Sequence, residues 1–196
     1  MIGMKKVAVV FHSICGNTYL LAKAYADAFK AAGADVDLLR VKDDTYHDIS
    51  LQFDSSKEYR DEILKVPVVS DGKSMVDYDA VFMGSPTYYG AVSAQMKAFM
   101  DSFCTIWVDA LMAGKYFGAF ATSGTACGGS EFAIQSLNIF AQHIGMVTLS
   151  VPCNIGGTPQ PAYGITYASG DMADQRINDG VKKAVEGYVR YVMTKI

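Results

Sequence analysis

Apolar residues follow two alternating rhythms along this chain: short unbroken runs, and longer stretches with a single apolar stripe. The first run, Val7-Ala8-Val9-Val10-Phe11, is continuous, the pattern of a strand buried on both faces of a parallel sheet. A polar turn from Ser13 to Thr18 separates it from a helical stretch with the stripe Leu20, Leu21, Ala24 and Ala28, and Gly33 stands where a helix C′ residue is expected. Ala34 to Arg40 predicts a second strand, Asp79 to Gly84 a third, Tyr116 to Ala121 a fourth and Met146 to Val151 a fifth. Val92, Met96, Phe99, Met100 and Phe103 have helical spacing, Phe132 to Ile144 predicts another helix, and Ile177, Val181, Ala184, Val185, Tyr188 and Val192 mark the last. Residues 42–77 are polar and less regular, with Ser55 or Ser56 placed to cap a short helix through Lys65. Alternation of strand and helix predicts an α/β protein with a parallel sheet, right-handed crossovers and helices on both faces.

Composition narrows the picture without redirecting it. The length of 196 residues suits one domain, and 51% hydrophobic with 19% charged residues is the balance of a packed globular chain. A net charge of −3 and a pI near 5.5 supply no electrostatic footprint for nucleic acid, so no nucleic-acid partner is expected. Met1-Ile2-Gly3-Met4-Lys5-Lys6 leads into the first strand without the apolar core of a signal peptide. No apolar stretch approaches the roughly 18 residues that span a bilayer. The four cysteines, Cys15, Cys104, Cys127 and Cys153, are far apart and form no C-x-x-C pair, so no metal site is expected. A cytoplasmic, reduced protein with no membrane insertion is the simplest expectation.

In such sheets ligands sit outside the carboxyl ends of the strands. Three loops there carry the candidate chemistry. Ser13-Ile14-Cys15-Gly16-Asn17-Thr18 puts hydroxyls and free N–H groups at a helix N-terminus, a setting that binds anions, with Gly16 allowing close backbone approach. The same composition also fits an ordinary N-capped turn. It is not a P-loop, since G-x-x-x-x-G-K-[ST] is missing. Small tyrosine phosphatases carry an Arg six residues after a cysteine in this place; here that residue is Leu21, so Cys15 lacks the clamp a phosphoryl nucleophile needs. The second loop, Gly84-Ser85-Pro86-Thr87-Tyr88-Tyr89-Gly90, combines a stiff turn, a hydroxyl and two flat aromatic faces. The third, Ala121 to Ser130, offers Thr122, Ser123, Gly124, Thr125, Gly128 and Gly129, small enough for a flat ring to lie close. It is not the G-x-G-x-x-G dinucleotide fingerprint.

Ser-x-x-Gly-Asn-Thr in the first loop resembles the FMN-phosphate loop of flavodoxins, with Cys15 where Thr is usual. The second loop resembles the Pro-Thr-Arg-Phe-Gly segment of the WrbA family of NAD(P)H:quinone oxidoreductases, with Tyr88 at the Arg position and Tyr89 at the Phe position. The third resembles that family's Ser-Thr-Gly-Thr-Gly-Gly-Gly loop. Gln95 to Asp101, Trp107, Ala141 to Met146, Gly156-Gly157-Thr158-Pro159 and Tyr163-Gly164 match further family segments in order.

This resemblance implies a flavodoxin-like three-layer sandwich over residues 1–196, with a five-stranded parallel sheet in the order 2-1-3-4-5. It implies bound FMN, with NADH or NADPH as co-substrate and a quinone as acceptor of two electrons, by ping-pong hydride transfer through flavin N5. Ser13 to Thr18, Pro86 to Gly90, Thr122 to Thr125, Gly128 and Gly129 would hold the cofactor. His143 would approach the flavin as an electrostatic helper and Trp107 would wall the substrate site. A homo-oligomer, dimer or tetramer, is implied, with Trp107 and the loop 156–170 as candidates to reach a neighbour's site. The rival readings are a flavodoxin-type one-electron carrier, a reductase of azo, nitro or ferric acceptors, and a flavin-sensing module without catalysis.

Overall fold

The computed structural model describes residues 3–196; Met1 and Ile2, the start of the segment in which no leader is expected, lie outside the described residues. In chain order the elements are β1 (Lys6–Phe11), α1 (Asn17–Ala31), β2 (Asp35–Val41), α2 (Tyr46–Ser50), α3 (Arg60–Lys65), β3 (Val68–Val69), β4 (Ala80–Tyr88), β5 (Ala91–Val92), α4 (Ala94–Asp101), α5 (Cys104–Trp107), β6 (Tyr116–Ser123), α6 (Ser130–His143), β7 (Val147–Thr148), β8 (Ile165–Ala168) and α7 (Asp179–Val192).

β1 lies inside the sheet, paired in parallel with β2 on one side and β4 on the other. Its side chains therefore have no solvent face. Val7, Val9 and Phe11 pack into the layer of α1 and α7, while Ala8 and Val10 pack into the layer of α4, α5 and α6. The unbroken apolar run follows from that double burial. Of the expected stripe of α1, Leu21 alone is fully buried. Leu21, Tyr25 and Phe29, with Ala22 and Ala26, fill the core, and the row Leu20, Ala24, Ala28 is only half-buried against it. Large side chains take the deeper row because they bury more apolar area per residue.

The sheet has eight strands where five were expected, along the path β3-β2-β1-β4-β6-β7, with β5 and β8 off that path. Within it the five expected segments keep the order 2-1-3-4-5. Three short strands account for the difference. β3 adds two residues outside β2 from the irregular 42–77 segment. β5 returns antiparallel on β4 through a hairpin whose central residues, Tyr89 and Gly90, both have positive φ. β8 shares one edge of β6 with β7: β7 pairs with Tyr116 and Phe117, β8 with Phe120 to Ser123. The expected fifth strand, 146–151, is thus cut to two residues, and the chain leaves the sheet before coming back at Ile165. Ser55 and Ser56 do not cap α3 either. They sit in a 3-10 turn, Asp54–Ser56, where the Ser56 hydroxyl donates to the carbonyl of Phe53, and Tyr59 occupies the N-cap.

Candidate functional site

The carboxyl ends of β1, β4 and β6 open into one cleft of about 1010 Å³, the upper end of roughly 300–1,000 Å³ for small-molecule sites. The first turn forms its floor. Gly16, at φ +92°, is the N-cap of α1 and has no side chain to cap the first-turn N–H groups. Those groups and the positive end of a 15-residue helix are therefore left for an anion. The Thr18 hydroxyl is buried and hydrogen-bonded to that of Thr122 at 2.7 Å, which ties the first turn to the end of β6. Pro86, Thr87 and Tyr88 form a second side of the cleft and Thr122, Ser123 and Gly124 a third. Thr87 Oγ1 is buried and, among the described residues, has no hydrogen-bond partner. An orphaned hydroxyl on a cleft wall calls for a polar group of a ligand. Burial of the Tyr88 phenol, with Cys15 and Asp43 nearby, pushes its pKa up to about 12, so it keeps its proton and its ability to donate. As a whole the residue is 43% exposed, its remainder facing the mouth.

Of the expected site residues, Ser13, Ile14, Cys15, Asn17, Thr18, Pro86, Thr87, Tyr88, Thr122, Ser123 and Gly124 line this cleft. The structure does not bring the others to its surface. Gly16 can offer its backbone N–H but no side-chain surface: its α-carbon backs onto Tyr59, and a Cβ would sit 2.8 Å from that ring. Tyr89 is fully exposed at the hairpin tip, with Gly90 beside it. Thr125 accepts the Gly128 N–H in a turn leading away from the cleft, and Gly129, the N-cap of α6, borders a separate groove. His143 ends α6 near β7, at the amino-terminal end of β6, and its carbonyl accepts the Trp107 indole N–H at 3.1 Å. His143 and Trp107 therefore stand together at the opposite end of the sheet.

Sequence reasoning missed four contributors. His12, directly before the first turn, meets Asp43 at 3.1 Å with 3% of each side chain exposed. Burial alone would raise the Asp43 carboxyl. Hydrogen bonds from His12 and from the hydroxyl and N–H of Thr45 outweigh it, holding the carboxyl well below the usual carboxylate range. Residues 49–58 and the strap 169–174 form the outer walls of the cleft. Arg176, at the end of the strap, hydrogen-bonds back to the first turn. Only the position of His12, one residue before the turn, was a usable signal.

A doubly wound parallel sheet with an uncapped helix N-terminus and an aromatic-walled cleft at its strand ends defines a flavodoxin-like protein. Solved structures agree on the fold. A WrbA-like flavodoxin from Agrobacterium tumefaciens superposes with a TM-score of 0.66 at 22% identity, covering 98% of this chain and 99% of that one. Flavodoxin 1 from Bacillus cereus superposes at 0.65 with 15% identity, over 98% and 99% of the two chains. Residues 6–157 match the family NADPH-dependent FMN reductase, and the chain belongs to that family. Among its relatives is an NAD(P)H dehydrogenase (quinone) of Cupriavidus metallidurans, 31% identical over 88% of this chain and 87% of that protein. Another of the same name, from Archaeoglobus fulgidus, is 35% identical over 76% and 78%.

Proposed function

We propose that this protein is an FMN-dependent NAD(P)H:quinone oxidoreductase. The observation that carries the reading is the cleft itself: an uncapped helix N-terminus on the floor and the unpartnered Thr87 hydroxyl on the wall. The family match and the quinone-reducing relatives agree with it. FMN, when bound, supplies the capacity to accept and return two electrons as hydride. The chain supplies the rest. The turn Ser13 to Thr18 binds the phosphomonoester through N–H groups and hydroxyls. Thr87 hydrogen-bonds the ring system, and Tyr88 walls it with a flat face. Thr122 and Gly124 would let the ring lie close to the backbone, and the mouth between the outer walls is where nicotinamide and quinone would bind in turn. Reduction in pairs is what separates this reading from a one-electron carrier.

His143 and Trp107, far from their own cleft, act in this reading on the cleft of a neighbouring subunit. A homo-oligomer, with a tetramer as the form the WrbA resemblance implies, and a cytoplasmic location complete the proposal. No helix among the described residues is long and apolar enough to cross a membrane. The test is anaerobic stopped-flow mixing of the FMN-loaded protein with NADH and NADPH. At least one should bleach the flavin band, and a quinone should restore it. A flavin left oxidised by both nucleotides overturns the reading, as does a long-lived neutral semiquinone as the main product.

A further inference from the structure

Arg176 belongs to none of the three turns, yet stretches far apart in sequence meet on its guanidinium. Nη1 donates to the Cys15 carbonyl at 2.8 Å, to Asn17 Oδ1 at 3.2 Å and to the Ala173 carbonyl at 3.1 Å. Nη2 donates to the Ser55 carbonyl at 2.7 Å, and Nε to Glu58 Oε2 at 3.2 Å. The guanidinium lies 5.0 Å from the centre of the Tyr59 ring, the same ring on which Gly16 backs. A second bond reinforces the junction: Asn17 Nδ2 donates to the Ala173 carbonyl at 2.7 Å. Such a hub needs several donors in a fixed fork, which arginine has and lysine lacks.

The consequence for the anion turn is geometric. With the Cys15 carbonyl held by Arg176, the trans peptide directs the Gly16 N–H the opposite way, as an anion cradle requires. The positive φ of Gly16 is the backbone this orientation uses. Charge acts in the same sense. Among the described residues, Arg176 is the cation hydrogen-bonded to this turn, and its side chain is largely withdrawn from water, with Glu58 offsetting part of the field. Through Ser55, Glu58 and Ala173, the same side chain fastens both outer walls of the cleft to the turn.

We propose that Arg176 is a positioning residue for the phosphate end of the flavin: it holds the Ser13 to Thr18 turn in anion-binding shape and couples the outer walls to an occupied turn. It thereby makes the protein selective for a phosphorylated flavin over riboflavin. This rests on the FMN reading and adds to it a residue, a discrimination and a link to the walls.

The test compares FMN and riboflavin, which differ only by the phosphate, on the full chain freed of flavin. Dissociation constants come from quenching of flavin fluorescence, and thermal unfolding confirms that each variant is folded. Arg176→Gln is expected to weaken FMN by about tenfold or more, a factor of ten being about 1.4 kcal/mol, and riboflavin by less than about twofold. Arg176→Lys, which keeps the charge and loses the fork, is the milder variant and should recover only part of the FMN affinity. FMN should also slow amide exchange in residues 50–59 of the native protein and not of Arg176→Lys. Equal weakening of both flavins, or no change in either, overturns the role of Arg176 while leaving the cofactor intact. Native protein that binds neither flavin overturns the FMN reading itself, and this proposal with it.

Discussion

His12 and Asp43 show how much a single buried contact sets at this site. Their side chains meet at 3.1 Å, and Asp43 Oδ1 also accepts the Thr45 N–H at 2.9 Å and the Thr45 hydroxyl at 2.7 Å. A carboxylate with that many donors is stabilised in its charged form. The sign of the pH effect follows. A carboxyl depressed in the folded state contributes stability above its unfolded pKa of about 3.9 and loses it as pH falls further. Asp43→Asn is therefore expected to cost about 1–3 kcal/mol at pH 7, and the gap to the native protein should shrink below pH 4. Urea unfolding at pH 7 and pH 3 measures it, and a gap of constant size would rule the pair out as its source. None of this was legible along the chain. Asp43 lies 31 positions after His12, and nothing in either neighbourhood marks the partner. The turn Ser13 to Thr18, by contrast, was legible because its chemistry is contiguous.

At the scale of elements, ends and edges decide what pattern alone does not. α1 closes with two bonds, Gly33 N–H to the Lys30 carbonyl and Ala34 N–H to the Phe29 carbonyl, each at 3.0 Å. This is a Schellman end with Gly33 at φ +88°. Beyond its own chain neighbours, no atom lies within 4 Å of the place a Cβ would take, so Gly33→Ala tests conformation without a clash. A left-handed backbone costs an L-residue about 1–2 kcal/mol, offset by the lower entropy of the unfolded alanine chain. The expected net loss is about 0.5–1 kcal/mol in urea unfolding, with flavin binding unchanged; a stabilised variant would contradict this account of the helix end. Gly33 was readable from sequence because a helix end is a local event. The splitting of the fifth strand was not, since two segments compete for one edge of β6 and only pairing in space settles which residues win.

For the whole molecule, the placement of apolar surface is the telling feature. Trp107, Val108, Phe132, Ile139 and Val147 are all exposed, on α5 or directly after it, on α6 or on β7. Exposed apolar side chains gathered on one part of a surface are the mark of an interface. All but Phe132, which lies in the first turn of α6, sit toward the end of the sheet where His143 stands, as the proposed assembly requires. Light scattering is expected to return a mass well above the 21.2 kDa of one chain. Ile139→Glu should shift it toward that value and depress quinone reduction together with it. A native protein that already runs as a single chain, or a variant with unchanged mass, would remove the shared-site proposal without touching the cleft.

The chain's own pattern was enough to fix the alternation of strands and helices, the burial of β1 on both faces and the three strand-end turns. Each of these depends on periodicity or turn chemistry among neighbours in the chain. Tertiary structure alone decided that Gly129, His143 and Trp107 stand away from the cleft, that residues 49–58 and 169–174 wall it, and that His12 finds Asp43. It also decided that Arg176 reaches Ser55, 121 positions away. Contacts of that kind are chosen by packing of the whole core, where burial and hydrogen-bond satisfaction act on distance in space, and distance along the chain carries no record of them.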